Sequence, residues 1–227
     1  ENAPEAIIEA VLKAKGEMPD TKFLLFGDKE QLRKLIPADQ INDQLGVVST
    51  TEIIEDEDEP VRAIRKKKDS SMVVAANYVK EGKADALLSL GNTGALLACG
   101  IFIIGRIKGI VRPGLMPTLP AQNSDDGFNM VDVGANAKSK PEYLLQWAQM
   151  ASYYAEKTRG IENPRSSLLN VGAESDKGDD VHQQAYQLLN DSSLNFQGNI
   201  EGNELLLGNA DVVVTDGFTG NAVLRNI

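Results

Sequence analysis

The sequence predicts an α/β fold of three layers, in which helices cover both faces of a mostly parallel sheet. Short apolar runs that end in Gly, Asn or Asp alternate with segments of helical periodicity, which is typical of parallel strands joined by helices. Strands buried on both faces read as continuous apolar runs, as residues 22–27 and 211–215 do. One polar connection is too short for a crossover helix and therefore predicts an inserted antiparallel pair.

The first 80 residues predict two strands among helices. Apolar residues recur at helical spacing within residues 4–15. The acidic run at residues 55–59 precedes Pro60, which predicts a solvated loop leading into the first turn of a helix. The remaining predicted elements are a strand at 22–27, a helix at 28–36 capped by Asp28, a weaker strand at 46–49 and a helix from Ser70 or Ser71 to Lys80.

Strands and helices continue to alternate toward the carboxyl terminus, and we predict one α/β domain over residues 1–227. Ser139 and Glu142 flank Pro141 in a pattern typical of a capped helix start, and apolar residues follow at helical spacing. The other predicted elements are an antiparallel pair of strands at 115–119 and 129–133, further strands at 84–88, 165–170, 194–197 and 211–215, helices at 93–107 and 179–190, and a helix that begins at Gly220.

Composition and charge narrow the functional classes. Of the 227 residues, 42% are hydrophobic and 25% are charged, which is ordinary for a globular protein and excludes disordered, collagenous and disulfide-rich classes. The net charge of −10 argues against nucleic-acid binding, which requires an excess of Lys and Arg. The single cysteine cannot form an internal disulfide, so we expect a reducing, cytoplasmic environment. The longest apolar run, residues 95–104, is about half the ~20 residues of a membrane span and predicts a buried helix.

Four polar turns, each at the end of a predicted strand, are the candidate ligand-binding segments. They occupy residues 89–94, 132–136, 170–178 and 216–221, and each combines Gly with Asn, Thr, Ser or Asp. Ligands of open parallel sheets bind beyond the carboxyl ends of the strands. Glycine lets backbone amides approach an anion, and the following helix adds the positive end of its dipole. The same residue types also suit a tight strand-to-helix connection without any ligand.

Motifs that the sequence lacks exclude several mechanisms. It contains no P-loop, no G-x-G-x-x-G dinucleotide motif and no G-x-S-x-G nucleophile elbow. With one His and one Cys, no metal-binding pair of either residue is possible, and we predict no metal site. His182 lies in a polar helical segment and is predicted to be a surface residue, whereas Cys99 is predicted to pack in the core. An enzyme of this composition could still position an anion that is itself the nucleophile.

Several segments, in order along the whole chain, carry a family resemblance: residues 58–72, 89–95, 105–110, 117–120, 132–136, 160–165 and 211–221. They resemble the bacterial phosphate acyltransferases of phospholipid synthesis, the PlsX family. The resemblance implies a three-layer α/β/α dimer similar to isocitrate and isopropylmalate dehydrogenases and to phosphotransacetylase, with the antiparallel pair at the dimer interface. It also implies that family members begin with a strand and a Gly-Gly-Asp turn before Ala3 and continue beyond Ile227.

The resemblance further implies an enzyme that transfers a fatty acyl group from acyl carrier protein to inorganic phosphate and forms acyl phosphate. In such a reaction phosphate attacks the thioester carbonyl directly, so the protein holds two reactants in line and stabilises the developing oxyanion. Neither a cofactor nor a protein nucleophile is then expected. The resemblance implies a cytoplasmic homodimer that associates peripherally with the inner face of the membrane through segments outside this chain, and nucleic acid is not an expected partner.

Particular residues within the family's motifs are expected to form the site. Asn136 and Asn221 are expected to donate hydrogen bonds to the oxyanion, and Asp216 to orient one of them or the leaving thiol. Lys177 is the expected cationic partner of the phosphate. The expected phosphate ligands are Gly91, Asn92, Thr93, Gly94 and Thr219. The basic residues expected to meet the acidic carrier protein are Arg62, Arg65, Lys66, Lys67, Arg106, Lys108 and Arg112.

Two other functions fit the same patterns. One is a nicotinamide-dependent decarboxylating dehydrogenase of similar fold, against which the lack of metal-ligating acid clusters at the turns counts. The other is a non-catalytic module that binds a carrier protein or a lipid metabolite. Phosphate-dependent release of the carrier thiol distinguishes the predicted transferase from both.

Overall fold

The computed structural model describes residues 3–227, which divide into two compact units with the boundary between Arg106 and Ile107. We call them the amino-terminal unit and the carboxyl-terminal unit and describe each by itself. The prediction of one domain over residues 1–227 stays a prediction, and the first two of these residues lie outside the described chain.

Within residues 3–106, the amino-terminal unit contains a small parallel sheet and five α-helices. Its helices are α1 (Glu5–Glu17), α2 (Lys29–Leu35), α3 (Pro60–Lys66), α4 (Ser71–Lys80) and α5 (Thr93–Cys99), and its strands are β1 (Phe23–Gly27) and β2 (Leu45–Ser49). The two strands pair in parallel, with Phe23 opposite Leu45. One apolar core joins this sheet to α1 and α2, and a second core joins α3, α4 and α5.

Side-chain caps explain two helix starts in this unit. Asp28 accepts a hydrogen bond from the backbone amide of Gln31 at 2.7 Å and caps α2, as predicted. Glu59, the last acid of the predicted loop, caps α3, whose first residue is Pro60. These carboxylates satisfy amides that have no partner within their own helix.

Two predictions for the region after α4 need correction. The strand predicted at residues 84–88 is wrong: the chain there is irregular, and Leu88 is 90% exposed. An apolar run becomes a strand only where a neighbouring strand can bond to it, and in the described residues of this unit the sheet consists of β1 and β2. The helix predicted at 93–107 is shorter. It begins at Thr93 and continues through a π-helical turn, Gly100–Ile104, to Gly105, whose φ is +99°.

The carboxyl-terminal unit is built on a five-stranded sheet. Its strands are β3 (Thr118–Ala121), β4 (Ser124–Val131), β5 (Arg165–Leu169), β6 (Asn195–Ile200) and β7 (Val212–Val214), and its helices are α6 (Pro141–Arg159), α7 (Asp180–Asn190) and α8 (Gly217–Leu224). The strand order is β3-β4-β7-β5-β6, and every neighbouring pair is parallel except β3 with β4. A 3₁₀-helical segment that the sequence did not predict, Gly202–Leu207, follows β6.

Two apolar cores cover the two faces of this sheet. Val212 and Val214 pack with α6 and α7, whereas Val213 lies in the opposite core with Leu205 and with residues of α8. Side chains alternate between faces along a strand, so three consecutive valines serve both cores. The predicted mixed α/β fold is thereby confirmed.

The predicted antiparallel pair is confirmed, but it is part of the main sheet and not an insertion. β4 pairs with β3 on one side and runs parallel to β7 on the other, with Asn129 opposite Val212. The two strands also extend through most of the predicted polar connection. The capping box predicted at Ser139 is wrong, because Lys140 precedes α6 and no side chain caps that helix.

Candidate active site

Three polar turns of the carboxyl-terminal unit lie at one edge of its sheet. Since β4, β7 and β5 are adjacent and parallel, their carboxyl ends lie side by side. The turn at 132–136 follows β4, the turn at 170–178 follows β5, and α8 begins directly after β7. This is the edge at which parallel sheets bind ligands.

Asp132 organises the turn after β4. Its side chain is fully buried. One carboxylate oxygen accepts hydrogen bonds from the backbone amides of Leu115, Gly134 and Ala135 at 3.0, 3.2 and 2.9 Å. The other accepts from the backbone and side-chain amides of Asn136 at 2.8 and 2.9 Å. A buried carboxylate is tolerated where hydrogen bonds satisfy it, so Asp132 is a structural centre of the turn.

Asn136 is held by the same centre. Its side-chain nitrogen donates to the backbone carbonyl of Pro113 at 2.8 Å as well as to Asp132. Both hydrogens of the amide are therefore engaged. Asn136 thus fixes the shape of the turn, and its donation to an oxyanion stays a prediction.

Glycines allow α8 to pack closely against the turn. A Cβ on Gly217 would overlap the backbone oxygen of Asn136, and one on Gly220 would overlap the backbone oxygen of Asp132. A Cβ on Gly134 would lie 3.4 Å from the side-chain oxygen of Asn221. Packing thus requires Gly217 and Gly220, whether or not a ligand approaches them, and a φ of +134° favours glycine at position 134.

The start of α8 carries three predicted site residues, Asp216 at its N-cap and Thr219 and Asn221 within the helix. Asp216 caps the helix: one carboxylate oxygen accepts from the backbone amides of Phe218 and Thr219, each at 3.0 Å. Thr219 and Asn221 are partly buried, and within residues 3–227 neither side chain has a hydrogen-bond partner. Their polar groups are therefore available to a ligand, and their roles stay predictions.

Lys177 extends from the turn after β5. The side-chain amide of Asn170 donates to the backbone oxygen of Lys177 at 3.0 Å and holds this part of the turn. The Lys177 ammonium lies 3.9 Å from a carboxylate oxygen of Glu174, and the two side chains are 46% and 66% exposed. An ion pair that is long and solvated holds its cation weakly, so the ammonium is available to an anionic substrate.

His182 is the site residue that the sequence misassigned. It is not a surface residue: its side chain is only 14% exposed and lies between two carboxylates. Nδ1 is 2.7 Å from Asp179, and Nε2 is 3.7 Å from Asp216. Hydrogen bonds from His182 hold the pKa of the Asp179 carboxyl below its usual value. Nothing in the polar segment around His182 indicates its contact with Asp216, which follows a different strand.

In the amino-terminal unit, the turn predicted to bind phosphate is organised by Asn92. Its side chain is buried, and its oxygen accepts from the backbone amide of Ala95 at 2.9 Å, which caps α5. Its nitrogen donates to the backbone oxygens of Glu55, Asp56 and Asp58 at 3.1, 3.1 and 3.3 Å. The side chain is engaged with the acidic loop and with the start of α5, and phosphate binding by Asn92 stays a prediction.

The other residues of this turn are placed as follows. The Gly91 amide donates to the hydroxyl of Ser89 at 3.2 Å, and Thr93 is exposed. A Cβ on Gly94 would lie 2.6 Å from the Pro60 ring, so this glycine is also required by packing. Phosphate binding by Gly91, Thr93 and Gly94 stays a prediction.

The basic residues predicted to meet a carrier protein are divided between the units. Lys67 donates to the backbone oxygen of Ile53 at 2.7 Å and pairs with Asp58 at 2.5 Å. The bond from Lys67 lowers the pKa of the Asp58 carboxyl. Lys67 thus holds the acidic loop, and its contact with a carrier protein stays a prediction. The remaining predicted contacts are exposed. In the amino-terminal unit they are Arg62, Arg65 and Lys66 on α3 and Arg106 at its end, and in the carboxyl-terminal unit they are Lys108 and Arg112.

Cys99 is fully buried, as predicted, and burial raises the pKa of its thiol to about 11. A neutral thiol of this kind is a poor nucleophile. Among residues 3–227, His, Cys, Asp and Glu side chains form no group of three that could hold a metal ion. Over the same residues, every helix is too short or too polar to cross a membrane.

Comparisons with known proteins agree with the motifs. A family model described as "Fatty acid synthesis protein" matches residues 1–227. A phosphate acyltransferase of Lactobacillus helveticus is 89% identical over 227 residues, which cover all of this chain and 68% of that protein. A phosphate acyltransferase of Enterococcus faecalis is 55% identical over 229 residues, with the same coverage of both chains.

Two solved structures share the fold. A phosphotransacetylase from Streptococcus pyogenes superimposes with a TM-score of 0.67 at 19% identity and covers 98% of this chain and 78% of its own. A branched-chain phosphotransacylase from Enterococcus faecalis gives a TM-score of 0.61 at 19% identity and covers 98% and 79%. At this identity the likeness concerns the fold alone. The family match and the close relatives decide the classification: this chain belongs to the fatty acid synthesis protein family, among the phosphate acyltransferases.

Proposed function

We propose that the protein containing this chain transfers a fatty acyl group from acyl carrier protein to inorganic phosphate and releases acyl phosphate. The observation that carries the proposal is that two adjacent parallel strands, β5 and β7, are followed by a weakly held cation, Lys177, and by the unpartnered amide of Asn221. The first suits an anion and the second suits a developing oxyanion. Cys99, in contrast, is buried with a raised thiol pKa and does not fit the role of a nucleophile.

The proposed reaction needs no covalent intermediate with the protein. A phosphate oxygen attacks the thioester carbonyl, and a C–O bond forms while the C–S bond breaks. The proton of the attacking phosphate passes to the leaving thiolate, which departs as the carrier thiol. Lys177 binds the phosphate, and Asn221 donates to the carbonyl oxygen as negative charge develops on it. Approximation of the two reactants supplies as much as ~7–11 kcal/mol in favourable cases.

The exposed basic residues of α3 suit an acidic carrier protein. Arg62, Arg65 and Lys66 are spaced three and four positions apart, so they lie on one side of the helix. All three are exposed, which lets them steer a negatively charged partner although the whole chain carries a net charge of −10.

Three further parts of the proposal rest on the family resemblance. They are dimerisation, peripheral membrane association and the likeness to the dehydrogenase fold.

The test is a thioester assay with and without phosphate on the full-length enzyme. Lys177→Ala and Asn221→Ala are each expected to lower kcat/KM about 100-fold, the usual effect of removing one group that stabilises charge in the transition state. Lys157→Ala is the matched control, because Lys157 is exposed on α6 and pairs with Glu156. Full activity of both site variants would contradict the assignment.

The same assay separates the alternative functions, neither of which the family match favours. A decarboxylating dehydrogenase would change the absorbance of a nicotinamide during turnover of a hydroxy acid. A non-catalytic module would bind acyl carrier protein and show no turnover that depends on phosphate.

A further inference from the structure

A single imidazole links the caps of two helices at the candidate active site. Asp179 caps α7, and its oxygen lies 3.0 Å from the backbone amide and 2.7 Å from Nδ1 of His182. Asp216 caps α8 with one oxygen, and its other oxygen lies 3.7 Å from Nε2 of His182. The side chains of His182 and Asp216 are 14% and 17% exposed, so solvent screens this contact only weakly.

The chemistry of the two partners determines how the ring bonds. Both are carboxylates, which only accept hydrogen bonds. Nδ1 lies within hydrogen-bond distance of Asp179 at 2.7 Å, and Nε2 faces Asp216 at 3.7 Å. The ring therefore lies between the two capping carboxylates and links the start of α7 to the start of α8.

The backbone of the preceding turn is shaped to admit this link. Gly178 has a φ of +86°, and a Cβ there would lie 2.6 Å from the side-chain oxygen of Asn170 and 2.8 Å from Cβ of His182. Asn170 is the residue that holds the backbone of Lys177. Gly178 therefore lets the turn that carries Lys177 and the ring that contacts Asp216 pack against each other.

We propose that His182 is a positioning residue for the acyl transfer, acting through Asp216 to hold the first turn of α8, and with it Asn221, in register with Lys177. The inference rests on the proposed function, because acyl transfer is the reaction that needs these two residues in register. A misplacement of about 1 Å lowers the rate of such a reaction by as much as ~100-fold. His182 itself contacts neither reactant.

Three variants of the full-length enzyme separate the two contacts of the ring. In His182→Gln the side-chain nitrogen reaches the place of Nε2 and keeps the contact with Asp216. In His182→Asn the nitrogen takes the place of Nδ1 and keeps only the contact with Asp179, and His182→Ala keeps neither. The Asp179 cap on the backbone amide survives in all three. Gln184→Ala, exposed on the same helix, is the control.

We expect kcat to stay within about threefold of wild type in the Gln variant and to fall about tenfold in the Asn and Ala variants, with little change in KM for phosphate. Hydrogen exchange of residues 217–224 should quicken in the Asn and Ala variants only. The inference is overturned if the Asn variant is the active one, or if all three lose activity in proportion to Tm. Absence of phosphate-dependent turnover in the wild type would refute the proposed function, and the exchange rates would still decide whether His182 holds α8.

Discussion

Two glycine-rich turns that look alike in sequence, residues 89–94 and 132–136, are each organised by one buried side chain. In the amino-terminal unit Asn92 accepts one backbone amide and donates to three backbone oxygens. In the carboxyl-terminal unit Asp132 only accepts, and it collects four backbone amides and one side-chain amide. The first therefore joins a helix to a distant loop, whereas the second mainly closes its own turn and also bonds to the backbone at Leu115.

The difference follows from the chemistry of the two side chains. An amide both donates and accepts, while a carboxylate accepts at two oxygens. In both turns the most buried polar residue bonds to the backbone. The side chains that remain available to a substrate, Lys177 and Asn221, are the less tightly bonded ones.

The largest expected effect is that of Asp132→Ala. It leaves four backbone amides and the Asn136 side chain without their buried acceptor, and we expect it to lower the free energy of unfolding by about 3–5 kcal/mol. Chemical denaturation measures this loss. The exposed Asp125→Ala is the control, with an expected change within about 0.5 kcal/mol. Equal losses in the two variants would show that the hydrogen bonds to Asp132 contribute nothing to stability.

Gly220→Ala tests how closely α8 packs on the same turn. Because the new Cβ would overlap the backbone oxygen of Asp132, α8 must shift, and we expect a loss of about 2–3 kcal/mol. Gly202→Ala is the matched control, since its Cβ would meet no atom within 4 Å. Thermal unfolding of both variants gives the comparison, and an unchanged Tm for Gly220→Ala would contradict the packing.

Asn92→Ala tests whether the other turn is an anchor or a ligand site. Loss of a cap and of three donors to the acidic loop is expected to reduce stability by about 1–2 kcal/mol. In the full-length enzyme KM for phosphate should stay unchanged. Asn92→Ser, which retains the capping oxygen, should lose less. A large rise in KM with normal stability would support the phosphate-binding assignment.

The smallest expected effect concerns a partly buried carboxylate that bonds to the backbone, that of Asp211. The backbone amide and the guanidinium of Arg165 donate to it at 2.8 to 3.0 Å. Burial raises the pKa of Asp211, but the hydrogen bonds from Arg165 outweigh it and leave the pKa below its usual value. A lowered pKa contributes stability above the unfolded value and loses it as pH falls through the folded value. Below about pH 4, wild type should therefore lose more stability than Asp211→Asn in denaturation measured at each pH.

The family, the mixed α/β class and most elements could be predicted from the sequence, because they depend on patterns within a few residues. The caps at Asp28 and Asp179 follow this rule, since each bonds to an amide three residues ahead. The strand at 84–88 failed because a strand also needs a partner, which its own residues do not specify.

By itself, the sequence determined which turns carry polar residues and which family those turns belong to. Only the tertiary structure decided which of these residues are free. Asn92 is engaged by a loop as much as 37 positions away, and Lys67 is engaged by the same loop. His182 belongs to the site because its ring contacts Asp216, which follows another strand. The physical reason is that a polar side chain bonds to whatever group the folded chain places within reach, and local spacing does not record those contacts.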